Sequence, residues 1–210
     1  MYFSKMNETA KITLSVDEQQ LVCNTNWILT KHVIIEKVYK LLGNVLEEMK
    51  QEVESEKKWL PGDIFIPSPK IYKGENYRQL PYVLLDYPRC FEKESAVAIR
   101  SLFWWGNFFS IQLQVSGKYK VAVADKLLLH FGLLQQHEYF ICINENQWEH
   151  HFEPDNFIEI NGLSLTEFET ILDRFDYIKI ARKISIEEWD GVPGFLNNTF
   201  KEMIGFLKFG

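Results

Sequence analysis

The sequence predicts an α+β domain, with a mainly antiparallel, curved sheet packed against several helices, one of them long and near the N-terminus. Three observations carry this. Ile34, Val38, Leu41, Leu42, Val45, Met49 and Val53 recur at helical spacing. Phe109, Ile111, Leu113 and Val115 alternate strictly with Phe108, Ser110, Gln112 and Gln114, the period of a half-buried strand. Helical and strand patterns come in groups and not as regular βα units, which argues against a parallel doubly wound sheet. With 210 residues, 46% of them apolar, the chain can bury a core as a single domain over residues 1–210 without disulfide support.

The elements follow in order. Ser15 and Glu18 have capping-box spacing, so a helix begins there. The long helix spans about Thr30 to about Lys57, and Pro61-Gly62-Asp63 ends it. "IFIP" reads as a short strand closed by Pro67 and Pro69. Gly74-Glu75-Asn76 reads as a turn, and "PYVLLDYP" as a strand starting and stopping at Pro81 and Pro88. A helix begins near Lys118, "EYFICIN" is a buried strand, and a short strand and a loop occupy "QWEHHFEPDNFIEI". Ser164 and Glu167 cap another helix, "YIKIARKISI" is a strand, and the C-terminal stretch from Val192 is a helix.

The stretch "SLFWWGNFFS" divides at Gly106-Asn107, residues that tolerate positive φ, and forms a β-hairpin. A three-residue loop pairs Trp104 with Phe108, Phe103 with Phe109 and Arg100 with Gln112. A two-residue loop would place Arg100 among apolar side chains at considerable cost. The predicted register gives the hairpin a second face of Arg100, Leu102, Trp104, Phe108, Ser110, Gln112 and Gln114.

Composition narrows the function. The net charge of -6 argues against nucleic acid as the main partner. Residues 70–120 hold eight Lys/Arg and four Asp/Glu, whereas 138–176 hold ten Asp/Glu and one Arg, so a basic site for an anionic ligand belongs in the middle of the chain. No apolar run spans a membrane and no signal peptide is legible, so a soluble cytoplasmic protein is expected. Cys23, Cys90 and Cys142 form neither a CxxC nor a paired zinc pattern, which reads as buried reduced thiols. The common phosphate-loop, nucleophile-elbow and zinc-protease motifs are missing, and no cofactor is expected.

Candidate chemistry lies in four places. The hairpin's second face offers aromatic walls, a cation and amides, suited to a small anionic or planar ligand. Its candidate ligand-binding residues are Lys73, Tyr77, Arg89, Arg100, Trp104, Phe108, Gln112 and Gln114. The same face would be core if a helix packed over it. Asp86 is a candidate base, with Arg89 and Arg100 as clamps for planar oxygens, set against a structural ion pair among these residues. His130 is a second candidate base, set against a plain helix-dipole contact. "EHHFEPD" places His150 and His151 among Glu149, Glu153 and Asp155, but neighbouring histidines on a strand point apart, so an exposed acidic loop is expected and no metal site.

The stretches "KGENYRQLPYVLLDYP" and "IRSLFWWGNFFSIQLQV", with the long early helix, resemble bacterial proteins of the YktB type over about a third of the chain. The basic, Arg- and His-rich segment of that family before the Gly loop is missing here. The resemblance implies an α+β fold with helices on a curved sheet. It implies no activity and brings no catalytic residue.

The function expected from these features is binding of a small molecule or a protein through the aromatic and basic region 73–114. The alternative is a hydrolase or transferase acting on an anionic substrate, and the second alternative a homodimer that buries the aromatic face.

Overall fold

The computed structural model describes residues 12–92 and 94–208. The chain divides into two compact units, Met1–Lys37 and Val38–Gly210. In the first unit, α1 (Val16–Cys23) starts at the expected capping box, with Ser15 accepting from the Glu18 amide. After one residue, Asn24, whose side chain accepts from the Trp27 amide, α2 (Thr25–Glu56) begins. The helix therefore starts earlier than its apolar spacing indicates, because Asn24 caps it.

The second unit carries an open seven-stranded sheet, antiparallel in every described pairing. Its strands are β1 (Lys70–Tyr77), β2 (Leu80–Phe91), β3 (Ala96–Trp104), β4 (Phe108–Ser116), β5 (Phe140–Cys142), β6 (Phe157–Glu159) and β7 (Tyr177–Ser185), in the order β1-β2-β3-β4-β7-β5-β6. The helices α3 (Lys118–Leu129), α4 (Phe131–Gln136), α5 (Leu165–Arg174) and α6 (Val192–Phe206) complete it. The architecture is α+β, as the sequence predicts.

The hairpin register is the predicted one: Trp104 opposes Phe108, Phe103 opposes Phe109 and Arg100 opposes Gln112, around Gly106 at φ 72°. Two faces follow from it. On one, Val83, Leu85, Ile99, Phe103, Phe109, Ile111, Leu113 and Ile180 are buried, and α3 and α6 cover β4. Each such side chain contributes about 1.5–3 kcal/mol. Tyr87 stacks on Phe200 of α6 with ring centroids 6.2 Å apart. The part of α2 in this unit buries Val38, Leu42, Val45, Met49 and Val53. It runs beside α6, tied by Glu48 to Asn197, Glu52 to Lys201 and Glu56 to Lys208.

Three local expectations change. "IFIP" is no strand: Gly62–Phe65 is a 3-10 turn, held by the Ile64 amide on the Pro61 carbonyl, with Ile64 fully buried. Gly74-Glu75-Asn76 is no turn either; β1 passes through it and the chain reverses at Arg78 and Gln79, both at positive φ. Gly74 lets the strands lie close there, since a Cβ would come within 2.4 Å of the Tyr82 ring and that ring would have to shift. Finally, β2 continues past Pro88 to Phe91, because a register shift between Asp86 and Arg89 takes the proline out of the ladder.

Candidate functional site

The second face of the sheet is laid out in rows by the register. One row runs Asp86, Arg100, Gln112, Ala181 across β2, β3, β4 and β7; the next runs Arg89, Ala98, Gln114, Lys179. Arg100, Gln112, Gln114 and Lys179 are all buried. So many polar groups under cover demand partners. The 143–156 loop between β5 and β6 supplies them.

That loop is folded by its own amides. Asn144 accepts from the Asn146 amide at 2.8 Å, and Asn146 accepts from the Trp148 amide at 3.1 Å. The Asn156 side chain donates to the His151 carbonyl, and the Ile143 amide to the Asn156 carbonyl. The loop then binds the sheet from above. Tyr77 accepts from the amides of His150 at 2.7 Å and His151 at 3.0 Å, and donates to Glu149 at 2.9 Å. Burial pushes the Tyr77 phenol up to about 12. Gln112 Oε1 meets His150 Nδ1 at 3.0 Å, Gln114 donates to Gln147 at 2.6 Å, and Lys179 donates to the carbonyls of Gln147 and Glu149. Phe152 enters between the rings of Phe108, Phe140 and Phe157.

"EHHFEPD" is exposed only in part: Glu153, Pro154 and Asp155 face solvent, as expected, but His150 and His151 are 8% and 1% exposed. Both point inward because their backbone amides share one acceptor, Tyr77, and no strand alternation separates them. Burial holds His150 well below its ordinary value, aided by the charges of Lys179 and Arg100, so it is neutral. Among the described residues no cluster of His, Cys, Asp and Glu is arranged to hold a metal ion.

The structure brings together most of the residues proposed from sequence. Arg100 donates from Nε to Asp86 Oδ1 at 2.8 Å, and from Nη2 to Asp86 Oδ2 at 3.3 Å and to the Tyr72 hydroxyl at 3.0 Å. The third nitrogen, Nη1, is buried with no hydrogen-bond partner among the described residues. Arg89 Nε and Gln114 Oε1 are also buried and unpartnered. Above this group stand two partly exposed rings. Phe91 lies 5.7 Å from the Arg100 guanidinium and 6.0 Å from that of Arg89, and Trp148 lies 5.4 Å from Arg100. The two rings are 5.9 Å apart and 39% and 47% exposed, and beneath them Arg100 is buried while Arg89 is partly exposed.

The remaining proposed residues lie elsewhere or serve other contacts. Lys73 is exposed on β1. Trp104 is buried, its indole donating to the Tyr77 carbonyl. Phe108 lines a groove of about 460 Å³ with Lys183, Arg182 and Phe195. Asp86 is held in an ion pair by Arg100, and His130 is tied to its own helix through Nδ1 and the Lys126 carbonyl at 2.8 Å. Cys90 and Cys142 are buried free thiols, but Cys23 is exposed. Sequence reading missed Phe91, Trp148, Gln147 and Lys179. Lys179 had a legible signal, a cation within the apolar run "YIKIA", while the contact of Trp148 with Arg100 bridges 48 positions and leaves no local trace.

No protein-family model, curated protein or solved structure matches the chain, and nothing found there bears on the YktB-type resemblance.

Proposed function

We propose that the protein is a binding module for a small carboxylate or phosphate, taken up where Phe91 and Trp148 cover Arg89 and Arg100. The observation that carries this is the unpartnered Nη1 of a buried, Asp86-anchored guanidinium beneath two partly exposed rings. An unmade hydrogen bond on a buried cation is costly, and an anion would remove that cost. Asp86 fixes the fork from below, which leaves Nη1 and Arg89 Nε as the donors still open. Rotation of Trp148 admits a ligand, and its ring then stacks on a planar one.

The test is thermal denaturation with a panel of small carboxylates and phosphates. A ligand at one hundred times its Kd stabilises the native state by about 2.7 kcal/mol. Trp148→Ala and Arg89→Gln should weaken that response without unfolding the chain, because both positions retain some solvent exposure. If no anion raises the Tm, or if both variants respond as the wild type does, the reading fails.

A further inference from the structure

Among the described residues, nine of the sixteen exposed large apolar side chains fall between residues 12 and 33: Ile12, Leu14, Val16, Leu21, Val22, Trp27, Ile28, Leu29 and Val33. The helix α1 buries none of its residues. In α2 the residues from Thr25 to Thr30 are all exposed, and the first buried side chain is Ile35. Before that point the apolar residues Trp27, Ile28 and Leu29 are consecutive and so reach around most of the helix. A helix apolar on several sides is built to be covered. Leu21 and Val22 of α1 and Trp27 to Leu29 of α2 line one open trough of about 640 Å³.

We propose that this arm is a self-association surface, occupied by the arm of a second copy of the chain. Three properties select that occupant. The exposed apolar side chains present on the order of 1,000 Å², above the largest patch of a typical monomer and close to the share of one partner in a standard interface. Glu18 lines the trough but is engaged by the Ser15 amide in the helix cap, and from Gln19 to Thr30 there is no charged residue, so the apolar centre of the contact opposes no like charges and offers none to an acidic or basic partner. The polar residues of that run are amides and hydroxyls, Gln19, Gln20, Asn24, Thr25, Asn26 and Thr30, each both donor and acceptor and therefore able to pair with its own copy. A twofold contact of this kind closes on itself and stops at the dimer.

Sedimentation of the full chain at tens of micromolar should give twice the 24.9 kDa of one chain. Leu21→Glu with Leu29→Glu, both exposed positions, should weaken the dimer at least tenfold while the far-ultraviolet spectrum is retained. The neutral pair Leu21→Gln and Leu29→Gln should shift it in the same direction by less. Cys23 lies inside the patch and is the exposed thiol, so its alkylation should slow several-fold as wild-type concentration rises, and not in the Glu variant. A wild-type chain that stays monomeric overturns the proposal, whether it binds lipid vesicles or loses thermal stability in the Glu variant, which would place a membrane or the chain itself on the arm. A dimer unchanged by both variants, or a Cys23 rate independent of concentration, overturns it too.

Discussion

Arg100 and Asp86 oppose each other on neighbouring strands, joined through both carboxylate oxygens and both almost wholly buried. The pair is the floor on which the loop and the rings rest. Its Coulomb attraction offsets the desolvation of two charges only while both are present. Asp86→Asn should therefore destabilise the fold by about 3–5 kcal/mol, the cost of leaving a buried charge uncompensated. Asp86→Leu combined with Arg100→Met should cost much less than either change alone, read by urea denaturation. Additive losses would mean that the two side chains act separately.

Tyr77 is one contact shared by both loop histidines, through their backbone amides. Tyr77→Phe removes the acceptor of two amides and the donor to Glu149 in one step. Each buried amide left open costs about 1–3 kcal/mol. The expected result is a loss of a few kcal/mol with hydrogen exchange accelerating first at His150 and His151. Uniform exchange across the sheet would show that the loop is held by something other than Tyr77.

The hairpin was legible in the sequence because its register follows from local facts: strict alternation in β4, a Gly-Asn turn, and the cost of burying Arg100 on the apolar side. The loop was not. Its residues are polar and charged, like those of a solvated segment, and what draws them inward is hydrogen bonding to Tyr77, Gln112, Gln114 and Lys179, positions 30 to 74 residues away. Local composition records polarity, not the partner that satisfies it. The same limit hid the arm, since its apolar residues precede the helical stripe that starts at Ile34 and carry no local sign of being left uncovered.

Gly74 carries a different expectation. A methyl group there would overlap the Tyr82 ring. Gly74→Ala should cost about 1–3 kcal/mol, as overpacking does. Tyr82→Ala in the same chain should remove most of the penalty, because the three atoms nearest the added Cβ all belong to that side chain. If Gly74→Ala remains as harmful beside Tyr82→Ala, backbone conformation and not the ring explains the glycine.

Lys179 sets the pH dependence above neutrality. Burial lowers its ammonium from the ordinary 10.5 to about 8, against the smaller pull of Glu149. Below pH 8 the folded and unfolded chains both hold the proton, and the burial cost of the charge, about 3 kcal/mol, is fully present. As pH rises through 8 the folded chain releases the proton while the unfolded chain keeps it, so stability rises until the unfolded lysine also titrates. Tyr77 and Tyr119, raised to about 12, act in the opposite direction once the unfolded phenols ionise near 10. The rise is therefore read between pH 8 and pH 10, and Lys179→Met should flatten it. On the acid side His150 and His151, both lowered mainly by burial from 6.5, have the unfolded chain binding the extra proton, so stability falls as pH drops below 6.5. Urea midpoints measured across both windows check the two signs, and wild-type stability that falls from pH 8 to pH 10 would contradict the buried charge on Lys179.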